Sequence, residues 1–261
     1  RRESEYLLRR HNPRQSDFLK YIQVEEQLEE LRKLRSNRLK REEKQNHLDT
    51  TKHIGDKHII QHLHLLWIRT LRKYKSVDFY LQYAEFCKRT KSFQKLAKCY
   101  QEGLRFFPKS EVLWTEAASH EYFHNHACAA ARVLLQRGLR VNPKSAELWI
   151  QAFVLELHWV QKLRGRRTVL NEEATEDQDP YKLARLVYDH AIQSCADQNP
   201  NFRWHFVEQC RSFPAEDLRE YILQSIERDQ KAYSSSYIAR ASFYAQFKTA
   251  FLARDHDDDE E

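Results

Sequence analysis

A self-similarity at fixed spacing constrains this chain more than any other feature. Gly103-Leu104-Arg105 and Pro108-Lys109-Ser110 recur as Gly138-Leu139-Arg140 and Pro143-Lys144-Ser145, and Leu113-Trp114 recurs as Leu148-Trp149, each copy 35 positions further on. The correspondence runs on from Ala117 to Ala152 and from Glu121 to Glu156, so an aromatic, a small residue and a carboxylate stand at n, n+3 and n+7. Those three positions share one face of an α-helix. A period of this size holds two helices and a turn, a unit that cannot bury its apolar stripe alone and has to stack on its neighbours. The expected fold is all-α, an α-solenoid of stacked antiparallel helix hairpins.

The second helix of each unit has its own pattern. Ala131 and Gly138 are small residues seven apart, with leucines between them, and Ala184 and Ala191 repeat the layout. Small residues there let neighbouring helix backbones approach. Ala184 lies 53 positions after Ala131, 18 more than one period, which places a charged loop insertion at about 164–179. Weaker copies precede these. Tyr80 and Tyr83 begin one, with Cys87 at the carboxylate position and Leu96 at the alanine position; Phe18, Tyr21 and Glu25 begin another, followed by Leu28, Leu31 and Leu34. Ile59 to Leu71 reads as a second helix, and Ala215 to Arg228 and Tyr237 to Leu252 as two more. The organisation expected is an N-terminal helical region with a degenerate repeat at 1–47, a repeat body at 48–254 and an acidic, disordered tail at 255–261.

Composition agrees with a helical, well-solvated body. Only 4 glycines occur, far below the roughly 7% of ordinary proteins, and 31% of residues are charged against 41% hydrophobic. Pro108, Pro143, Pro180, Pro200 and Pro214 fall between helical patterns, where a missing N–H does little harm. The five cysteines, Cys87, Cys99, Cys128, Cys195 and Cys210, show no Cys-x-x-Cys pairing and lie within helical patterns, as reduced intracellular core cysteines do. No apolar run of about 18 residues occurs, so no membrane partner is expected. The net charge is +6; the six acids from Asp255 to Glu261 account for −6, so the rest carries +12. That balance fits a polyanionic partner and equally fits solvated helix faces.

The two helix patterns, Trp-x-x-Ala-x-x-x-Glu and then Ala-Arg with a small residue six positions after the Arg, resemble half-a-tetratricopeptide (HAT) repeats. The flanks are similar to one HAT family in particular. Phe18-Leu19-Lys20-Tyr21-Ile22-Gln23-Val24-Glu25 with its leucine and arginine-rich continuation, Glu156-Leu157 and Lys162-Leu163-Arg164 before the charged insertion, and Tyr237-Ile238-Ala239-Arg240 after Asp217-Leu218 and Tyr221-Ile222 all resemble the U3 small nucleolar RNA-associated protein 6 family. The resemblance implies a scaffold subunit of the UTP-B complex of the small-subunit processome, in the nucleolus of the nucleus. It implies other UTP-B subunits, WD-repeat propeller proteins among them, as partners, and U3 snoRNP and pre-rRNA as company within the particle during 18S rRNA maturation. HAT scaffolds also serve messenger RNA splicing and 3′-end processing, which is the alternative process.

The residues expected to pack the repeats are Trp114, Ala117, Glu121, Ala131, Gly138, Trp149, Ala152, Glu156, Ala184 and Ala191. Two arginine clusters are candidates for contact with RNA or an acidic partner: Arg1, Arg2, Arg9, Arg10 and Arg14 at the start, and Arg164, Arg166 and Arg167 at the insertion. Guanidinium forks match phosphate geometry, although Glu3 and Glu5 interleave the first cluster. His58 and His62 have metal-compatible spacing, but Ile59-Ile60-Gln61 between them lacks the glutamate of a zinc protease helix, and no metal site is expected. No nucleotide-binding glycine loop, no Gly-x-Ser-x-Gly and no Cys-His pairing occurs, so no enzyme, cofactor or small-molecule substrate is expected.

Overall fold

The computed structural model describes residues 1–45, 58–170, 179–195 and 202–232. Among these residues there are eleven α-helices and no strand: α1 (Arg2–Leu8), α2 (Gln15–Gln45), α3 (His58–Lys73), α4 (Val77–Arg89), α5 (Phe93–Phe106), α6 (Glu111–Phe123), α7 (Cys128–Val141), α8 (Ala146–Leu170), α9 (Lys182–Cys195), α10 (Phe202–Arg211) and α11 (Glu216–Ala232). The all-α helical-repeat architecture read from the 35-residue period is the one observed. The chain forms two compact units, Arg1–His120 and Glu121–Glu261.

In the first unit each helix packs on the next, α1 on α2, α2 on α3, α3 on α4 and α4 on α5. The core is aromatic because α4 carries Phe79, Tyr80, Tyr83 and Phe86 at close helical spacing, and all four are buried. Trp67 stacks on Tyr83 at 6.0 Å between centroids, and His64 meets Phe86 edge-on at 5.0 Å. A Cβ added to Gly103 on α5 would come within 3.2 Å of the Tyr80 ring and 3.4 Å of Leu113. Glycine at this position therefore sets the helix spacing, which is why it stands in the repeat.

In the second unit α7 packs on α8, α8 on α9, and α10 on α8, α9 and α11. Phe206 organises this core: Phe153, Phe202 and Tyr188 all meet it edge-on with centroids 5.0 to 5.3 Å away. Ala184, Tyr188 and Ala191 are 0% exposed, one face of α9 at heptad spacing.

The repeat extends to the turns. Phe107 N–H donates to Gly103 O and Asn142 N–H to Gly138 O, both at 2.8 Å, 35 residues apart. Ser110 N–H to Phe107 O and Ser145 N–H to Asn142 O repeat at 3.1 and 3.2 Å. Lys91 and His126, also one period apart, both have φ of 54°, the left-handed conformation that ends a helix within a hairpin. At the first of these, Ser92 N–H closes back on Cys87 O at 2.9 Å. Neither Lys91 nor His126 is a glycine, so sequence matching passes over this geometry common to the two repeats.

Three expectations need correction or restriction. The charged insertion does not begin at Arg164: α8 continues to Leu170, so residues 164–170 are helix. No proline interrupts that stretch, a lone Gly165 costs a helix only about 1 kcal/mol, and Arg164 Nη1 holds the helix by donating to Pro214 O at 2.9 Å. Helix α10 has no counterpart among the sequence patterns, because Phe202, His205 and Gln209 stand where aromatic, small residue and carboxylate belong. The remainder of the insertion (171–178), the helix expected at 237–252 and the acidic tail at 255–261 lie outside the described residues.

Candidate partner-binding surfaces

The two tryptophans of the repeat have a shared polar role. Trp114 Nε1–H donates to Pro108 O at 2.8 Å and Trp149 Nε1–H to Pro143 O at 2.9 Å, each tying the first helix of a hairpin to the turn before it. Burial differs between the copies. Trp114 is 7% exposed, whereas Trp149 is half-buried and lines a groove on the second unit. Ala117, Ala131, Gly138, Ala152, Ala184 and Ala191 are all buried.

The carboxylate of the pattern is an anchor for arginine. Glu156, 6% exposed, accepts two charge-assisted hydrogen bonds from Arg132 Nε and Nη2, both 2.6 Å, and the Arg132 guanidinium also lies over the Trp159 ring at 5.4 Å. Arg1 and Glu25 make the same fork at 2.6 and 2.7 Å, with the same separation of 24 residues. The register agrees with this correspondence, since Phe18, Tyr21 and Glu25 each precede Trp149, Ala152 and Glu156 by 131 positions. Arg1, a candidate phosphate ligand by sequence, is thus the partner of the carboxylate of the degenerate N-terminal copy. The signal in the sequence is an Arg followed 24 positions later by the Glu of the pattern.

Where the pattern decays the fork is lost. The position one period before Arg132 is Ala97, and the side chain of Glu121 accepts instead from Asn125 Nδ2 at 2.9 Å. In the α9 copy, Gln209 stands 24 positions after Arg185. Arg185 turns to Asp179 at 3.1 Å and lies over the Tyr221 ring at 5.1 Å, and its Nε is buried with no hydrogen-bond partner among the described residues.

Of the remaining arginine candidates, Arg2, Arg9, Arg10, Arg14 and Arg166 are exposed and Arg164 and Arg167 half-buried. Arg10 lies over the Tyr6 ring at 5.9 Å. Arg164 is committed to Pro214 O and to the Tyr181 ring, 4.9 Å from its guanidinium. His62 Nε2 is 2.9 Å from the Tyr21 hydroxyl, which makes it a packing contact between α2 and α3.

The buried histidine and thiols are held in their neutral forms. His64, 2% exposed, lies between the Tyr83 hydroxyl (3.2 Å from Nδ1) and Ser92 Oγ (3.1 Å from Nε2); burial, with a smaller contribution from Lys95, lowers its pKa to about 4. Burial also raises the thiol pKa of Cys87 to about 11 and of Cys210 to about 12, and that of Cys99 and Cys128 upward. These thiols are protonated at neutral pH and are poor nucleophiles.

Among the described residues, each unit carries a depression on its surface. In the second unit a groove of about 670 Å³ runs between α7, α8 and α9. Leu135, Leu139, Trp149, Leu155, Leu183, Leu186 and Val187 supply its apolar wall, and Arg132, Arg140 and His190 its polar rim. In the first unit a cleft of about 450 Å³ lies among α3, α4 and α5, with Arg72, Lys75, Lys95, Lys98 and Arg105 around it. Leu31, Leu34 and Leu39 on the exposed side of α2 are 51 to 66% exposed.

These features define a helical-repeat protein that presents grooves and apolar ridges between its hairpins. A family model described as U3 small nucleolar RNA-associated protein 6 matches residues 1–62. The fission yeast (Schizosaccharomyces pombe) protein of that name is 32% identical over 171 residues, covering 65% of this chain and 34% of that protein. The human and mouse homologues are 24% and 26% identical, over 94% and 90% of this chain and 42% and 40% of theirs. The chain is similar to the U3 small nucleolar RNA-associated protein 6 family over these stretches. It spans between about a third and two-fifths of the length of these relatives.

Proposed function

We propose that the chain is a non-catalytic scaffold of the nuclear, U3-containing particle that matures small-subunit ribosomal RNA. The resemblance to these relatives carries this reading, since they are named for association with U3 small nucleolar RNA. The finer expectations follow as part of the proposal: HAT-type repeats, a place in the UTP-B complex beside WD-repeat propeller proteins, residence in the nucleolus, and a contribution to 18S rRNA maturation.

The surface supports a protein-holding role. A groove walled by leucines with Arg140 at its rim accepts an amphipathic helix or extended segment whose apolar residues seat between α7 and α9, and whose acids meet Arg140. Successive hairpins multiply such contacts, so many weak ones sum to stable assembly. The non-catalytic reading draws support from the buried histidine and thiols, which are held in forms unsuited to general base or nucleophilic work.

Depletion of the protein followed by analysis of ribosomal RNA precursors tests the reading. Unprocessed small-subunit precursors should accumulate while messenger RNA splicing and 3′ ends stay normal. The opposite pattern would assign the chain to the alternative, a HAT scaffold of messenger RNA processing.

A further inference from the structure

The cleft of the first unit is chemically unlike the leucine-walled groove of the second. Its floor is the buried face of α4, where Tyr80 and Tyr83 are 1 and 3% exposed, closed by Leu71 and Cys99. Five cations surround it: Arg72 at the end of α3, Lys75 in the connection after it, and Lys95, Lys98 and Arg105 along α5. Against them stands one carboxylate in the lining, Glu102. None of the five makes an ion pair with a carboxylate among the described residues, whereas Arg1, Arg69, Lys88 and Arg89 of the same unit all do. Concentrated, uncompensated positive charge costs a fold self-repulsion, and an anionic ligand relieves it.

Two further observations point the same way. Lys95 is half-buried, and burial holds its ammonium below its ordinary pKa; its field helps to keep His64 neutral. Phe106 closes α5 at the mouth of the cleft and is 43% exposed, and Lys75 Nζ sits 3.9 Å from its ring centroid. An exposed aromatic framed by lysines and arginine is the combination that holds a single strand, stacking a base while cations take the flanking phosphates. We propose that the α3–α4–α5 cleft binds single-stranded RNA, with Lys75, Lys95, Lys98, Arg72 and Arg105 on successive phosphates and Phe106 against a base.

A nucleic acid fits better than an acidic protein segment. A docked helix needs a row of apolar anchors three and four residues apart. Here the large exposed hydrophobic side chain in the lining is the Phe106 ring alone. The volume of about 450 Å³ has room for a nucleotide. The site is distinct from both arginine clusters singled out in the sequence, and it goes beyond the scaffold role, which requires no RNA contact from this chain.

The test is equilibrium binding of a fluorescein-labelled oligouridylate to the full chain across a salt series. The Lys75→Gln/Lys98→Gln/Arg105→Gln variant removes three cations of the cleft, and circular dichroism and melting confirm that it folds like the parent. Its log-log salt slope should fall in magnitude by about 2, at roughly 0.7 for each phosphate of a single strand that is no longer neutralised. Phe106→Ala should weaken binding about 10-fold with the salt slope unchanged. Arg137→Gln/Lys144→Gln/Arg211→Gln, which removes the same charge from exposed positions of the second unit, should bind as the parent does. Equal losses in the two triple variants would show diffuse attraction and overturn the proposal. So would a parent that fails to bind the oligonucleotide, or one whose cleft variants lose a polyglutamate peptide while keeping RNA. The scaffold reading stands or falls separately, on ribosomal RNA processing in the cell.

Discussion

Replacing Arg132 by methionine tests whether the arginine–carboxylate fork holds the hairpins together. Glu156 has a side chain 8% exposed, and both of its oxygens accept from Arg132 at 2.6 Å. Removing one partner of a buried pair leaves the other charge desolvated and costs about 3 to 5 kcal/mol. Because the Arg132 side chain is 28% exposed, water reaches part of the site and the lower end applies, about 3 kcal/mol. About 0.5 to 1 kcal/mol of that is the contact with the Trp159 ring. At roughly 2 to 4 °C per kcal/mol for a chain of this size, Arg132→Met should melt about 6 to 12 °C below the parent. The double variant Arg132→Met/Glu156→Leu removes both charges and should recover to within about 1 kcal/mol of the parent, since a buried ion pair and a packed apolar pair are often equivalent. Urea denaturation of the parent, both single variants and the double closes the cycle. A double variant as unstable as the sum of the singles would mean that the two residues are uncoupled, and the reasoning would be refuted.

Ala131→Leu and Ala184→Leu force a large side chain into positions that are 0% exposed and should each cost about 1 to 3 kcal/mol by overpacking; a parental melting temperature would refute the repeat register. Lys91→Gly should stabilise the first unit by up to about 1 kcal/mol in urea melts, because φ of 54° penalises a side chain there; destabilisation would show that Lys91 is held by contacts of greater worth. His64 has its folded-state pKa depressed from 6.5 to about 4, so below pH 6.5 the unfolded chain takes up a proton that the folded chain refuses. Stability from this group is complete above pH 6.5 and declines until about pH 4, by ~3 kcal/mol at roughly 1.4 kcal/mol per unit. His158, also lowered by burial, acts in the same direction. His64→Gln should therefore lose less stability than the parent between about pH 7 and pH 4.5, and an identical loss would count against the assignment.

Periodicity carries the architecture because the residues that set helix spacing are few and chemically distinctive. Trp114, Ala131, Gly138 and Ala184 have to be aromatic or small for backbones to meet, and such residues stand out in a chain with 4 glycines. Helix α10 is hidden from the pattern because Phe202, His205 and Gln209 satisfy the same burial with other atoms: Phe202 is 1% exposed and as well packed as any tryptophan. The end of α8 looks like loop because it is charged, although Arg, Thr, Val and Leu can all continue a helix whose arginine reaches a backbone carbonyl. Surface chemistry is less legible. Arg1 looks free in the sequence since its partner Glu25 lies 24 positions away, and the five cations of the cleft look dispersed since they come from α3, the connection after it and α5, brought together only by folding. Charge in a sequence shows neither its partner nor its neighbours across a helix interface.

Association with the U3 particle is the claim on which the functional account turns, and purification of the tagged protein under native conditions measures it directly. Sequencing of the RNA and mass spectrometry of the proteins should recover U3 small nucleolar RNA with small-subunit precursors and WD-repeat partners. Recovery of spliceosomal or polyadenylation factors without U3 RNA would contradict the account.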